Sequence, residues 1–585
     1  MSGFDRRSLL RGWLALGGTV GFPAWARPVS AGITTPPPVL SGDEITLRIA
    51  RQTMMIDGRP SRAIGINGTV PAPLIRLREG QTIRLQVIND LEVDSSLHWH
   101  GLLVPAQCDG VPGISFPGIK PRATFLKPRA TFLYEFRIRQ SGTYWYHSHS
   151  GFQEQLGLYG PIVIDPAGTD PVRSDREHVV VLSDHSYESP ELIFHRMKVD
   201  PGSYNRQQQT LSGLLTGKDQ LLKDRLSWGG MRINPTDIAD GTGQTYTYLV
   251  NGHGPQDNWT ALFAPGERVR LRIINASSMT TFNVRILGLA MTVVQADGQN
   301  VRPVETDEFQ IGVAETFDVI VTPPDERAYT LVGESIDRSG LARATLAPRV
   351  GMVAPVPPLR PRPLATMKDM GMGGMTMGGM DHATVAAMPG MAGGSDGTMG
   401  AMKMRAFGNA PWIRRGPGVQ SIAPMPIDRT GERGQGLGDV GHRVLVYRDL
   451  AALDRNPDVR APSRSLDIHL TGNMERFMWS FDGVKMSDTM APIPFTQGER
   501  VRITLINDTM MGHPIHLHGH FFALVTGHGD HAPRKHTVLV QPGGTVSFDL
   551  TADAVGDWAF HCHLLYHMAA GMMRVVSVRP QGDAA

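Results

Sequence analysis

Residues 561–572 read His-Cys-His-Leu-Leu-Tyr-His-Met-Ala-Ala-Gly-Met. A cysteine held between two histidines concentrates soft and borderline metal ligands on a few residues of chain. Cys562, His567 and Met572 offer a thiolate, an imidazole and a thioether. One further imidazole would complete the trigonal His2Cys set with a weak axial Met that tunes copper for electron transfer. Side chains alternate faces along a strand. Cys562 therefore points one way, while His561 and His563 point the other, toward a second site. One tripeptide then joins two metal centres covalently.

The elements that must position these residues are written three times. Residues 80–89 read Gly-Gln-Thr-Ile-Arg-Leu-Gln-Val-Ile-Asn, 266–275 read Gly-Glu-Arg-Val-Arg-Leu-Arg-Ile-Ile-Asn, and 498–507 read Gly-Glu-Arg-Val-Arg-Ile-Thr-Leu-Ile-Asn. Each is a turn glycine followed by a strand of period two. Ile83, Leu85 and Val87 face inward, as do Val269, Leu271, Ile273 and Val501, Ile503, Leu505. The repeat predicts an all-β chain with three copies of one β-sandwich domain.

The copies differ where chemistry would sit. Nine residues after Asn89 comes His98, and nine after Asn507 comes His516, but nine after Asn275 comes Val284. The outer copies continue as His98-Trp99-His100 and His516-Leu517-His518. At the domain ends, Gly142 leads by five residues to His147-Ser148-His149, and Gly556 leads by five to His561-Cys562-His563. An i, i+2 pair on a strand places two imidazoles on one face. Four such pairs in matched places of two repeats supply eight imidazoles. Packing the first domain against the third would converge them, enough for three copper ions with room for oxygen.

His98-Trp99-His100-Gly101, His147-Ser148-His149-Ser150-Gly151, His513-Pro514-Ile515-His516-Leu517-His518-Gly519 and the 561–572 stretch resemble the four copper motifs of the multicopper oxidases. The resemblance covers nearly the whole mature chain and implies three cupredoxin-like Greek-key sandwiches. Residues 231–240, 246–251, 294–298 and 507–511 are similar in wording to the bacterial periplasmic copper-resistance oxidases. The resemblance implies four copper ions. His513, Cys562 and His567, with Met572 axial, would hold a type 1 copper. His98 and His516 would hold a type 2 copper. His100, His147, His149, His518, His561 and His563 would hold a type 3 pair. Electrons would enter at the His513 or His567 edge nearest solvent and pass through Cys562, making Cys562 catalytic as well as a ligand. Asp109 looks like the family's carboxylate that manages protons for oxygen reduction, although an Asp before Gly also forms turns. The chain departs from the pattern at Cys108, where the family more often has Met, and at Ala569, where the copper-resistance group usually has Glu.

The N-terminus carries Arg6-Arg7 before a modest apolar run and a small-residue site, Ala24-Trp25-Ala26, which reads as a Tat-type signal peptide over residues 1–26 and implies a periplasmic protein. Without those residues the net charge of +2 falls to about zero, since they carry Arg6, Arg7 and Arg11 against Asp5. No basic face or nucleic-acid motif emerges, and no other stretch reaches the roughly 18 apolar residues that span a bilayer. Nucleic acid and stable membrane insertion are thus excluded as expectations. Two cysteines cannot build a disulfide framework.

The expected organisation is domain one at 27–170, a copper-free domain two at 171–350, a Pro-rich linker at 351–440 and domain three at 441–585. Short helices at 190–226 would decorate domain two, which otherwise reads as a spacer. Within the linker, residues 367–404 hold 11 of the 29 Met among ten Gly. Such a composition buries no core of its own, and its thioethers suit additional Cu(I). Lys120-Pro-Arg-Ala-Thr-Phe-Leu is repeated at once from Lys127. Seven is odd, so the extra copy should be looped out before the strand that includes Tyr134 and Phe136. The expected partners are dioxygen, a Cu(I) or phenolic reductant and a periplasmic copper carrier. The resemblance and the Met segment favour a cuprous oxidase in copper resistance. A laccase acting mainly on phenols and a non-enzymatic copper sequestration or delivery protein remain open alternatives.

Overall fold

The computed structural model describes residues 33–34, 37–121, 131–205, 207–372, 405–406, 408, 410, 413–488 and 491–582. The expected signal peptide at 1–26, residues 122–130 of the tandem repeat and residues 373–404 of the Met-rich stretch lie outside this set. Six sheets form three two-layered sandwiches, and the repeated strand has the same place in each. Thr82–Asn89 pairs in parallel with Glu44–Ile56 and antiparallel with Thr131–Arg137. Val269–Asn275 does the same with Arg176–Ser186 and Thr316–Val321, and Arg500–Asn507 with Arg464–Asn473 and Gly544–Thr551. All nine inward positions named from the period-two pattern are buried.

Each repeat ends on an asparagine for a reason the structure makes visible. The Asn89 amide donates to the carbonyls of Val93 and Ile119. Asn275 donates to Thr280 and Ile311, and Asn507 to Met511 and Val540. A buried amide satisfied by two loop carbonyls fixes the turn that follows. In the outer domains that turn leads to His98 and His516. In the middle domain it delivers Val284, fully buried within the strand Phe282–Ile286.

The middle repeat differs on its other face. Arg270 and Arg272 alternate with the apolar residues and should face water, yet both are buried. Arg270 pairs with Asp318 at 2.7 Å, and Arg272 pairs with Asp318 at 2.9 Å and donates to Thr143 Oγ1 of the first sandwich at 2.9 Å. Burying a charge is tolerated only with such partners. The second face of this sheet is an inter-domain surface.

Helices stand at Pro190–Val199, Leu211–Leu215 and Leu222–Gly230, where short helices are expected, the last running four residues past the expected end at 226. The Ser189 hydroxyl caps the first by accepting from the Leu192 N–H at 3.2 Å. Many of their leucines are exposed, whereas Trp228 is buried against Met370, Met372 and Met510.

The last three residues of the repeat's second copy lie inside the strand Thr131–Arg137, Thr131 opposite Ile88 and Phe132 opposite Val87. Seven looped-out residues therefore cannot be Lys127–Leu133 as such. Deleting either copy of a tandem repeat leaves the same sequence, so the strand keeps its residues and register in any case. A seven-residue deletion should shift the thermal midpoint by no more than a few degrees, because closure entropy changes slowly with loop length. Thermal unfolding of the deleted protein checks this, and a large drop would show the extra copy to be structural.

Candidate metal centre

Two side-chain clusters form around the ends of these strands. The first contains His513, Cys562 and His567. His513 Nδ1 lies 3.5 Å from Cys562 Sγ, His567 Nδ1 lies 3.9 Å from it, and the two nitrogens are 3.2 Å apart. His513 begins the strand His513–Leu517 and Cys562 ends the neighbouring strand Gly556–Cys562. His567 comes from the short helix Leu565–Ala569. Met572 is fully buried beside them, its N–H bonded to His567 O and its carbonyl to the Cys562 N–H.

The second cluster gathers the eight remaining expected ligand histidines. The strand His98–His100 pairs with Gly142–His147, setting His98 opposite His147, and the third domain sets His516 opposite His561. The rings of His100, His147 and His563 lie 4.9–5.6 Å apart centre to centre, and those of His149, His518 and His561 lie 5.0–5.2 Å apart. His98 and His516 are 5.8 Å apart. His561 Nε2 faces His518 Nε2 at 3.0 Å while Cys562 Sγ faces His513. The alternation along 561–563 thus runs as strand geometry dictates.

The inner atoms of this second cluster test whether it suits metal. Nε2 of His98, His147, His149, His516 and His563, and Nδ1 of His100, are buried without any hydrogen-bond partner. A buried polar atom is normally satisfied, so six orphaned imidazole nitrogens aimed at one space fit metal ions. Several outer nitrogens are fixed by protein. His98 Nδ1 bonds Asp109 O at 2.7 Å, His516 Nδ1 bonds His536 O at 2.7 Å and His561 Nδ1 bonds Cys562 O at 2.9 Å. Outer partners of this kind fix the tautomer of a ligating histidine.

Burial, reinforced for most by neighbouring imidazoles, drives His100, His147, His149, His513, His516, His518 and His563 well below the ordinary imidazole value. Burial alone does so for His567 and chiefly brings His561 down to about 4. Neutral imidazoles are the form that binds metal. Burial pushes the Cys562 thiol up, so a metal there must displace its proton.

Asp109 is fully buried, with Oδ2 2.9 Å from His518 Nδ1 and Oδ1 3.3 Å from His98 Nδ1. It also caps the short 3-10 turn Ala106–Cys108, so it has both the turn position and the site contact. Cys108 is buried and unbridged. Neither His513 nor His567 offers an edge to solvent, contrary to expectation, since both are fully buried. His513 Nε2 is covered by Thr509 Oγ1 at 2.8 Å and His567 Nε2 by Asp240 Oδ2 at 2.6 Å. Burial pushes Asp240 up to about 7. Asp240 comes from the middle domain, which is therefore more than a spacer.

Other neighbours were not legible in the sequence. Glu154 Oε2 sits 2.6 Å from His147 Nδ1, and Thr537 Oγ1 sits 3.1 Å from His100 Nε2. Asp240 at least lies within the 231–240 stretch whose wording resembled copper-resistance proteins. Glu154 and Thr537 lie on no matched spacing.

An all-β protein thus joins a His2Cys cluster through one cysteine to an eight-histidine cluster, and both clusters have the residues to hold metal ions. Multicopper oxidase family models match residues 48–169, 220–348 and 460–582. The copper resistance protein A homolog of Pseudomonas syringae pv. tomato is 48% identical over 98% of this chain and 99% of its own length. Copper resistance protein A of Escherichia coli is 46% identical over 98% and 99%. Among solved structures, Fet3p, a multicopper oxidase that functions in iron import, shares the fold with a TM-score of 0.61 at 19% identity, over 92% of this chain and 90% of that one. The chain belongs to the multicopper oxidase family, within its copper resistance protein A group, and is an oxidoreductase whose cofactor is copper. No helix among the described residues is long and apolar enough to cross a membrane.

Proposed function

We propose that this protein is a periplasmic cuprous oxidase of copper resistance. It takes one electron at a time from Cu(I), with phenols as side substrates, and reduces dioxygen to water. His513, Cys562, His567 and Met572 would hold one copper. His98 with His516, His100 with His147 and His563, and His149 with His518 and His561 would hold three more. When bound, copper would supply one-electron exchange at the first site and multi-electron reduction of dioxygen at the second.

The observation that carries this reading is the placement of Cys562 in one cluster and of its two peptide neighbours in the other. The chain between them is the shortest covalent path from donor to acceptor side. A sequestering protein has no use for such a path. Asp109 Oδ2 accepts from His518 Nδ1 at 2.9 Å, which supports reading it as the carboxylate that would manage protons for water formation. On the donor side, Asp240 Oδ2 orients His567 and covers its outer nitrogen.

Preference for Cu(I) draws on the methionines. Met370, Met372 and Met510 are buried together with Trp228, and Met231, Met367 and Met474 pack against them. Met510 and Met511 lie on the turn that leads to His513. Thioethers are soft ligands suited to Cu(I), and tethered ones raise the local concentration of a captured ion. Copper would arrive on a periplasmic carrier and be accepted by the Met-rich stretch 367–404.

Replacing the methionines of 367–404 with leucine should raise the KM for Cu(I) while phenol turnover stays the same or improves. Steady-state oxygen uptake with both reductants, on one copper-loaded preparation, measures this. Unchanged Cu(I) kinetics would reduce the stretch to a linker. A phenol kcat/KM far above that for Cu(I) in the unaltered protein would make it a laccase.

A further inference from the structure

Seven of the eight clustered histidines turn Nε2 inward: those of His98, His147, His149, His516 and His563 are unpartnered, and those of His518 and His561 face each other at 3.0 Å. His100 alone presents Nδ1. We propose that Thr537 is the positioning residue that imposes this exception, and that Asp297 of the middle domain holds Thr537 in place. The inference rests on the reading of the eight-histidine cluster as a copper site.

Thr537 Oγ1 stands among three imidazoles, 3.1 Å from His100 Nε2, 3.2 Å from His516 Nδ1 and 3.1 Å from His536 Nδ1. His100, His516 and His536 also form a close group of three with ligand nitrogens within 4.8 Å of one another, but a hydroxyl occupies the space among them. One hydroxyl has one proton to give and two lone pairs to offer. His100 Nδ1 is the nitrogen without a protein partner, and the following assignment of protons leaves it free for the cluster. His516 Nδ1–H donates to His536 O and shares Thr537 Oγ1. His100 Nε2–H donates to the second lone pair, and the Thr537 O–H donates to His536 Nδ1. With Nε2 committed as a donor, His100 has only Nδ1 left for a metal.

His536 packs against the bare backbone of Gly101. Its Nε2 lies 2.3 Å from where a Cβ on Gly101 would be, and Gly101 has φ +82°. The backbone is held as well. Asp297 Oδ2 accepts from the His536 N–H at 3.2 Å and the Thr537 N–H at 3.1 Å. Asp297 Oδ1 pairs at 3.0 Å with Lys535, which also meets Glu315 at 3.1 Å, and none of the three is exposed beyond 1%. Tyr447 donates to Glu315 at 2.6 Å. A domain without metal ligands thus supplies the fixed charge that sets a ligand's orientation in the joint site of its two neighbours.

The test compares copper-loaded wild type, Thr537→Val and Thr537→Ser. Valine keeps the shape and removes the hydroxyl, and Thr537→Ala serves as a second hydroxyl-free variant should valine disturb folding. Each protein is titrated with a copper chelator while the blue band and the type 2 EPR signal are followed. Loss of an outer partner weakens metal binding by about 10–100-fold. The hydroxyl-free variants should lose cluster copper at correspondingly lower chelator concentration and, because the same hydroxyl meets His516 Nδ1 at 3.2 Å, show an altered type 2 hyperfine splitting. Their blue band should be unchanged, and serine should restore both properties. Wild-type chelator resistance and EPR in valine and alanine variants would overturn the proposal, as would equal loss in the serine variant. A wild type with no type 2 signal would instead overturn the copper reading beneath it.

Discussion

Cys562→Ser should abolish the intense blue absorption and reduce turnover to background, while the fold and most copper in the histidine cluster remain. The absorption belongs to a copper–thiolate bond, and a serine oxygen at the fully buried position 562 cannot form it. The shorter C–O bond also withdraws the ligand from His513 and His567, whose nitrogens lie 3.5 and 3.9 Å from Sγ. His561 and His563 keep their places, because His561 Nδ1 is held by the Cys562 carbonyl and the His563 N–H by the Pro514 carbonyl. Absorption spectra with copper analysis settle the matter. A retained blue band would end the ligand assignment.

Asp109→Asn should slow reoxidation by dioxygen by about 10²–10⁴-fold, the usual contribution of a placed acid–base group, and leave reduction by the donor unchanged. Asparagine can still accept from His518 Nδ1 through its carbonyl oxygen, so the geometry survives and only the proton capacity is lost. Stopped-flow bleaching of the blue band by Cu(I), followed by its recovery in oxygen, separates the two halves. Slowed bleaching with normal recovery would assign Asp109 another role.

What could be read from the sequence was whatever obeys a short period. The nine inward strand residues, the four His-x-His pairs and the opposed faces of Cys562 and its neighbours follow from alternation along single strands. What could not be read comes from packing between segments far apart in the chain. Arg270 and Arg272 look solvent-facing until the first domain covers them. Asp240 reaches His567 from 327 residues away, and Asp297 reaches Thr537 from 240. The expectation of a solvent edge on His513 or His567 failed for the same reason, since the covering atoms of Asp240 and Thr509 lie on turns with no periodicity of their own. The middle domain reads as a spacer because it carries no ligand motif, and its contribution is made by carboxylates instead.

The most direct measurement is oxygen uptake by the copper-loaded protein, with Cu(I) as sole reductant and peroxide assayed in parallel. The account predicts catalytic uptake of one dioxygen for every four Cu(I) oxidised, with no peroxide released, and loss of that uptake when copper is stripped from the protein. Binding of Cu(I) without oxygen uptake, or one dioxygen for every two Cu(I) with peroxide as product, would contradict it.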